Sequence, residues 1–315
     1  MTLKKNSKIT ILGQNENLRM IDIAVRENLP VLLIGETGCG KTTMVQEKGE
    51  EYGITVDRIS INGQTTVDEF VGKYILEDKR TVWQDGFLLN AMKRGNWIVV
   101  DEVNAALPEI LFALHSLLDD SRSVTVVNHD GETVSPSEGF RFFATMNPVE
   151  EYAGTKDLNK AFLSRFPVIL NVEYPTPAVE REIVEKKGEV DRETATTITE
   201  IGHQIRKAKE KNEVFYTCST RDLIQWARLS KHATLSKSFM YAVGNKAMSD
   251  MKAIEGILKD TLVKIEEFKK KYDLTLLEEI EAKFEKLELE KEEMVKEKEN
   301  MKEAVIRELV GRIAM

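Results

Sequence analysis

The sequence is poor in cysteine and has no long apolar run. Its 315 residues include only two cysteines, Cys39 and Cys218, which lie far apart and make no disulfide framework, so we expect a reducing compartment. No apolar run approaches the roughly 20 residues that span a bilayer, and residues 1–6 lack the apolar stretch of a secretory signal. We therefore expect a cytoplasmic protein without a membrane-spanning segment.

The sequence also lacks an excess of positive charge and lacks tandem repeats. A net charge of −8 argues against a protein that coats nucleic acid, although a local basic channel is compatible with it. No solenoid-type period is visible. The chain is long enough for about two domains, and 42% apolar with 31% charged residues describes a globular protein with one unusually charged part.

A glycine-rich segment follows the first apolar run. Residues 35–42, Gly-Glu-Thr-Gly-Cys-Gly-Lys-Thr, fit G-x-x-x-x-G-K-[ST] between a predicted strand at 31–34 and a predicted helix from Lys41. Glycines let successive N–H groups curl around phosphate oxygens, Lys41 can reach the outer phosphates, and the Thr42 hydroxyl can bind Mg²⁺. We predict a nucleoside triphosphate site made by Gly35, Glu36, Thr37, Gly38, Cys39, Gly40, Lys41, Thr42 and Thr43.

Two carboxylates end a second apolar run, Trp97 to Val100. A buried strand of a parallel sheet presents ligands at its carboxyl end, which is where Asp101 and Glu102 lie in the sequence. We predict that Asp101 orients Mg²⁺ or its waters, and that Glu102 polarises the water that attacks the γ-phosphate. The alternative is a pair of solvated carboxylates, which the preceding phosphate loop makes less favourable.

Three further polar residues are candidates for the site. Asn147 follows a predicted buried strand at 141–146, so it would lie beside the γ-phosphate and help to hold the attacking water. Arg165 lies at the C-terminus of a predicted short helix at 158–166, where it is either a surface residue that complements the helix dipole or an arginine finger for a neighbouring subunit. Arg221 begins another predicted helix, an unfavourable place for a cation unless an anion is held there.

The pattern changes at residues 174–177, Tyr-Pro-Thr-Pro. Before them strands and helices alternate, with predicted hairpins at 74–83 and 124–134, the second closed by a tight turn at Asp130-Gly131. After them, predicted helices span 178–187, 191–211 and 220–232. Thr176 is the predicted N-cap of the first helix, and Ser219 or Thr220 that of the third.

The C-terminal tail is dominated by charge. From Lys264 to Glu303, 24 of 40 residues are charged, and neither glycine nor proline occurs. Apolar residues from Leu277 to Val305 keep a weak coiled-coil spacing that is interrupted by lysines. The pattern predicts a long helix, which packs either on its own domain or against another chain.

Taken together, these segments resemble an AAA+ ATPase of the MoxR and dynein-related (midasin-like) branch. Residues 35–42 are similar to its Walker A motif, and 99–104 to its Walker B motif. Similar segments also occur for sensor 1 (143–148), the arginine-finger helix (159–166) and sensor 2 (219–223). The resemblance covers about residues 8–232 and leaves out the charged tail.

The resemblance implies an α/β fold: a three-layer αβα P-loop core with a parallel sheet, an all-helical lid and a charged helical tail. We place these domains at 1–173, 174–258 and 259–315. It further implies Mg²⁺-dependent ATP hydrolysis in a ring, usually a hexamer, with Arg165 acting on the ATP of the next subunit and Arg221 of the lid on the phosphates. Lys160 stands where relatives often carry arginine, and its role is unassigned.

The resemblance also implies a protein client and, for many relatives, a partner with a von Willebrand factor A domain. Two other functions stay open: a nucleic-acid-linked motor of the restriction or phage-defence type, and a nucleotide-gated scaffold assembled through the tail. Stimulation of hydrolysis by DNA or RNA would favour the motor. Loss of the oligomer on deletion of residues 262–315 would favour the scaffold. The preference for ATP over GTP is not encoded in any of these motifs.

Overall fold

The structure, a computed structural model, describes residues 13–148 and 158–271. The chain divides into two compact units, residues 1–254 and residues 255–315. Of the second unit, residues 255–271 are described, and they are helical. The coiled-coil spacing predicted from Leu277 to Val305 lies outside the described residues. Within the described ranges, no helix has the length and apolar character needed to cross a membrane.

The described part of the first unit begins with alternating strands and helices. In chain order the strands are β1 (Val31–Ile34), β2 (Val56–Ser60), β3 (Gly72–Glu77), β4 (Arg80–Asp85), β5 (Trp97–Asp101), β6 (Val124–Val126), β7 (Glu132–Val134), β8 (Arg141–Met146) and β9 (Val168–Asn171). The helices among them are α1 (Asn15–Arg26), α2 (Lys41–Tyr52), α3 (Val67–Phe70), α4 (Phe87–Arg94), α5 (Pro108–Leu118) and α6 (Lys160–Leu163).

Five of these strands form one parallel sheet in the order β2-β5-β8-β1-β9. All of their carboxyl ends therefore lie at the same edge of the sheet. The residues that follow β1, β5 and β8 are the glycine-rich loop, Glu102 and Asn147, and these three strands are neighbours or next neighbours in the sheet. The topology thus brings sequence-distant polar residues to one edge.

Helices cover both faces of the sheet because the strand residues alternate between two hydrophobic cores. Val31, Leu33 and Val99 pack in the core that contains residues of α1 and α2. Leu32 and Val100 pack in the core that contains residues of α4 and α5. Strands that bury both faces in this way are typical of parallel sheets. The predicted three-layer αβα core with a parallel sheet is confirmed.

Two antiparallel hairpins, β3–β4 and β6–β7, interrupt the alternation near the predicted positions. In the second, strand pairing ends at Val126 and Glu132, so the connection spans residues 127–131. The prediction of a tight turn at Asp130-Gly131 was therefore too short. These two residues do have the positive φ angles, 51° and 69°, that favour Asp and Gly.

His129 joins the two hairpins. Its imidazole stacks on the Trp83 indole with 4.5 Å between ring centroids, and its Nδ1 lies 2.8 Å from the Tyr74 hydroxyl. Its Nε2 lies 3.0 Å from a carboxylate oxygen of Glu132. The hairpins are thus held together by an aromatic contact and a hydrogen bond across segments that are separate in sequence.

The helical lid follows β9. It contains α7 (Pro177–Gly188), α8 (Arg192–Glu210), α9 (Thr220–Ser230) and α10 (Leu235–Ala242), and a further helix, α11 (Met251–Lys271), continues into the second unit. Thr176 is the N-cap residue of α7, as predicted, although its side chain makes no capping hydrogen bond. Of the two caps proposed for α9, Ser219 is the one present, in a capping box with Asp222.

Candidate active site

The glycine-rich loop connects β1 to α2. Gly40 is the residue before the first turn of α2, and its φ of 103° is accessible to glycine but strained for other residues. Free backbone N–H groups at such a helix N-terminus form an anion-binding site. The loop therefore has the local geometry that its sequence predicts.

Lys41 links the loop to the end of β8. Its Nζ donates to the carbonyl oxygens of Gly35 (2.6 Å) and Glu36 (2.8 Å), and to Oδ1 of Asn147 (3.0 Å). The lysine is only 8% exposed, and burial lowers the pKa of its ammonium group while the nearby Asp101 and Glu36 carboxylates oppose that shift. Lys41 and Asn147, predicted separately as site residues, are in direct contact.

Asp101 is the centre of a second set of hydrogen bonds. Its Oδ1 accepts from the hydroxyls of Thr42 (2.9 Å) and Thr145 (2.8 Å), and its Oδ2 forms an ion pair with Nε of Arg58. The carboxylate is buried, at 4% exposure. A carboxylate beside a hydroxyl at the phosphate loop is the kind of oxygen-donor set that Mg²⁺ uses together with waters and phosphate oxygens. The residues predicted to hold Mg²⁺ therefore fit that ion.

Glu102 has a different environment from its neighbour Asp101. Its φ of 59° is in the left-handed region, which is uncommon for a non-glycine residue, and its side chain is exposed. Its backbone N–H donates to the Thr145 hydroxyl at 3.4 Å. Asn104, 2% exposed, donates from Nδ2 to the carbonyl oxygen of Asn147 at 3.3 Å. Local backbone geometry thus separates a buried carboxylate from an exposed one at the end of one strand.

Arg165 makes no described contact with the phosphate loop of its own chain. Its Nε lies 2.8 Å from Oδ1 of Asp119, its Nη2 donates to Oδ2 of Asp119 at 3.2 Å, and its Nη1 donates to the Ala161 carbonyl. Lys160 begins the short helix α6, which ends two residues before Arg165. Arg165 therefore lies apart from the set of hydrogen bonds made by Lys41 and Asp101.

Residues of the lid lie against the glycine-rich loop. A Cβ added to Gly38, whose φ is 78°, would lie 2.8 Å from the Ser219 side chain and 3.4 Å from Cβ of Arg221. A cavity of about 180 Å³ lies at this position. It is lined from the loop and α2 by Gly38, Cys39 and Thr43, and from the lid by Ile183, Arg221 and Ile224. Arg221 is thus adjacent to the glycine-rich loop, as predicted.

Cys39 lies inside the loop and is 6% exposed. Burial raises the pKa of its thiol, although Lys41 opposes the shift. A thiol with a raised pKa is a poor nucleophile near neutral pH. We therefore do not expect Cys39 to act as a redox switch.

Three residues of the site were not singled out from the sequence. Thr145 lies within the segment similar to sensor 1, and after Arg141 it is the single polar residue of β8, which could have identified it. Arg58 lies in β2 beside Asp57 and near Ser60, so its charge alone does not distinguish it in the sequence. Tyr174, predicted only as part of a domain boundary, donates its hydroxyl hydrogen to the Thr37 carbonyl at 2.9 Å.

Sequence comparisons agree with this geometry. The profile of the family described as AAA domain (dynein-related subfamily) matches residues 30–166, and the profile described as CbbQ/NirQ/NorQ C-terminal matches residues 180–264. The chain is similar to midasin of Giardia intestinalis, with 40% identity over 151 residues, which are 47% of this chain. It spans only 3% of the length of that midasin.

Smaller relatives are matched over most of their length. Protein NorQ of Paracoccus denitrificans is 30% identical over 220 residues, which cover 70% of this chain and 80% of NorQ. The denitrification regulatory protein NirQ of Stutzerimonas stutzeri is 29% identical over 239 residues, which cover 76% of this chain and 85% of NirQ. The chain belongs to the NorQ, NirQ and CbbQ group of the dynein-related AAA+ ATPases, and it is an ATPase of the MoxR family.

Proposed function

We propose that this ATPase works as a ring, usually of six subunits, in which each Mg²⁺–ATP is bound by one subunit and acted on by Arg165 of the next. One observation carries the proposal. Lys41 with Asn147 and Thr42 with Asp101 form two hydrogen-bonded pairs at one edge of the sheet, whereas Arg165 is held elsewhere by Asp119. Because Arg165 has no described contact with the nucleotide site of its own subunit, its charge is available to the site of a neighbouring subunit.

The proposed roles within one subunit follow from charge and burial. Thr42 and Asp101 hold Mg²⁺, which when bound offsets the negative charge of the phosphates. Lys41 binds the outer phosphates, and Glu102, exposed beside them, accepts the proton of the attacking water. Asn147, already in contact with Lys41, orients the same water, and Arg221 contacts the phosphates from the lid.

Arg58 gives a test of the proposed Mg²⁺ site. Arg58→Gln removes a positive charge that pairs with Asp101, so the carboxylate becomes more available to a second cation. The Arg58 side chain is 51% exposed, and such pairs contribute up to about 1 kcal/mol. We expect the Mg²⁺ concentration that half-saturates nucleotide binding to fall about threefold. Titration of Mg²⁺ against a fluorescent ATP analogue measures it.

The matched control is Arg80→Gln, which makes the same charge change at an exposed position of β4. It should leave the Mg²⁺ titration unchanged, since Arg80 has no described contact with Asp101. If Arg58→Gln instead raised the required Mg²⁺ concentration, Asp101 would depend on Arg58 for its orientation, and the competition described above would be wrong.

We further propose that the ring remodels or activates a protein client, together with a partner that contains a von Willebrand factor A domain. Support comes from the similarity to NirQ, whose name describes a denitrification regulatory protein, and to NorQ and CbbQ. The test is co-purification with a candidate partner of this type in ATP, in ADP and without nucleotide. Binding that does not depend on nucleotide, or no binding at all, would contradict a nucleotide-driven activator.

Assembly is tested separately by light scattering of the chain with Mg²⁺–ATP. A species with the mass of six subunits is expected, and a monomer at every protein concentration would overturn the ring. DNA and RNA should not stimulate hydrolysis at low salt, because the net charge is −8.

The proposed domains are a core at 1–173, a lid at 174–258 and a tail at 259–315. Both cysteines are free, which supports a reducing, cytoplasmic compartment.

A further inference from the structure

A buried charged cluster lies where the lid meets the phosphate loop. It consists of Tyr174, Glu180, Arg206 and Thr220, and we refer to it as the lid cluster. Glu180, in the first turn of α7, is fully buried, and Arg206 of α8 is 7% exposed. Glu180 and Arg206 belong to no motif recognised in the sequence, Tyr174 was placed only at a domain boundary, and Thr220 lies in the segment similar to sensor 2. Burying two charges is costly unless both are well compensated, so their retention at this position needs a reason.

The two charges of the lid cluster are fully compensated. Arg206 donates from Nη1 to Oε2 of Glu180 at 2.8 Å and from Nη2 to Oε1 at 2.7 Å, which is the bidentate geometry of strong arginine–carboxylate pairs. Its Nε donates to the Cys218 carbonyl at 2.7 Å. The Thr220 hydroxyl donates to Glu180 as well. The guanidinium plane is therefore fixed by the Glu180 carboxylate of α7 and by the Cys218 carbonyl, which lies just before the N-cap of α9.

The fixed guanidinium covers an aromatic ring. The central carbon of Arg206 lies 3.9 Å from the centroid of the Tyr174 ring, a cation–π contact. Tyr174 lies between β9 and α7, and its hydroxyl donates to the Thr37 carbonyl at 2.9 Å. Lys209, one turn further along α8, forms an ion pair with Glu36 at 3.2 Å. The lid helix α8 is thus connected to two successive residues of the phosphate loop.

The hydrogen bond from Tyr174 to the Thr37 carbonyl also sets the direction of the Gly38 N–H group. The peptide group between Thr37 and Gly38 is planar, and with no cis peptide present its C=O and N–H point in opposite directions. When the Thr37 carbonyl is turned towards Tyr174, the Gly38 N–H is turned away from it. Gly38 belongs to the glycine-rich loop whose N–H groups are predicted to bind phosphate oxygens.

We propose that Tyr174 is a positioning residue for the phosphate loop: its hydroxyl sets the orientation of the Thr37–Gly38 peptide, while Arg206 and Glu180 of the lid hold its ring in place. The proposal rests on the phosphate-binding role of residues 35–43. It makes the orientation of one phosphate-binding N–H group dependent on the position of the lid. Thr220 connects the same cluster to Arg221, the next residue along α9.

The first test is Tyr174→Phe, which removes the hydroxyl and retains the ring under Arg206. We expect the Kd and KM for Mg²⁺–ATP to rise together, by up to about tenfold, as for the loss of one well-placed hydrogen bond. The kcat should stay within about twofold, because the oriented N–H serves bound substrate and transition state alike. Tyr241→Phe, at a 60% exposed tyrosine of α10, is the matched control.

The second test is a double-mutant cycle with Arg206→Lys, which keeps the charge but lacks the planar group that covers the ring. If Arg206 acts through Tyr174, the variant that carries both substitutions should have a Kd for Mg²⁺–ATP no higher than that of the single variant with the higher Kd. Additive losses would overturn the link to the lid. Thermal unfolding without nucleotide checks that each variant is folded. If Arg206→Lys does not fold, the Kd and KM of Tyr174→Phe alone test the positioning role.

Lys41→Ala tests the phosphate-binding role of the loop independently of the positioning role of Tyr174. That variant should lose nucleotide binding, and normal binding would contradict the phosphate-binding role on which the proposal rests. If Lys41→Ala fails to bind while Tyr174→Phe has wild-type Kd and KM, the loop role stands and the positioning role is overturned. A Tyr174→Phe variant with a normal Kd and a lowered kcat would overturn it as well.

Discussion

Glu102→Gln is expected to lower ATP turnover by about 10²–10⁴-fold, the range for loss of a general base, while nucleotide affinity is retained. Glutamine has the same shape as glutamate but cannot accept a proton from the attacking water. The Glu102 side chain is exposed and makes no described hydrogen bond, so the substitution should change stability by less than about 0.5 kcal/mol. Steady-state hydrolysis and titration of a fluorescent ATP analogue measure the two quantities.

Glu138→Gln is the control, since it neutralises another exposed glutamate in the segment just before β8. It should hydrolyse ATP like the wild type. If Glu102→Gln also turned over normally, the catalytic role would be wrong. If it lost affinity as strongly as turnover, Glu102 would be a binding residue. An inactive variant that retains ATP is also the form in which the ring should be easiest to isolate.

Arg165→Ala is expected to lower turnover by about 10³-fold or more, the usual range for an arginine finger, with the affinity for ATP unchanged. Within its own chain, Arg165 pairs with Asp119 where the two side chains are 24% and 48% exposed. Pairs this exposed contribute at most about 1 kcal/mol, so Arg165 can exchange this partner for a nucleotide at little cost. Wild-type turnover per subunit should also rise with protein concentration until the ring is complete.

Asp119→Asn distinguishes the two roles of Arg165. If Arg165 matters only through its pair with Asp119, then Asp119→Asn should reproduce the loss seen in Arg165→Ala. If Arg165 acts on a neighbouring subunit, Asp119→Asn should retain most of the activity. Mixing Glu102→Gln with Arg165→Ala gives a further check, because mixed rings contain some interfaces with both residues intact. No recovered activity in the mixture would contradict catalysis between subunits.

Much of the site could be predicted because its chemistry is local in sequence. The phosphate loop, Asp101 with Glu102, and Asn147 each follow an apolar strand directly, so the parallel sheet brings them to one edge. The contact of Asn147 with Lys41 follows from β1 and β8 being neighbours. These predictions needed only the strand positions and the rule that parallel strands present ligands at their carboxyl ends.

The residues that were missed act through contacts between distant segments. Arg58 lies two residues before Ser60, which pairs with Asp101, so both side chains lie on one face of the sheet; that register is not visible in the sequence. Arg206 is an ordinary charged residue of a long amphipathic helix until its burial against Glu180 is known. Helix α10 was missed although Thr234 provides a recognisable cap.

The strand order of the sheet has a consequence for how the chain folds. Strand β1 lies between β8 and β9, and Val31 pairs with Phe143 on one side and with Val168 on the other. Closing such long loops is entropically costly, and non-local pairing of this kind slows folding. The phosphate loop, although near the N-terminus, acquires the complete support of β1 only after both β8 and β9 have been synthesised. Until then β1 has at most one of its two sheet partners, so this hydrophobic segment lacks its full support during synthesis.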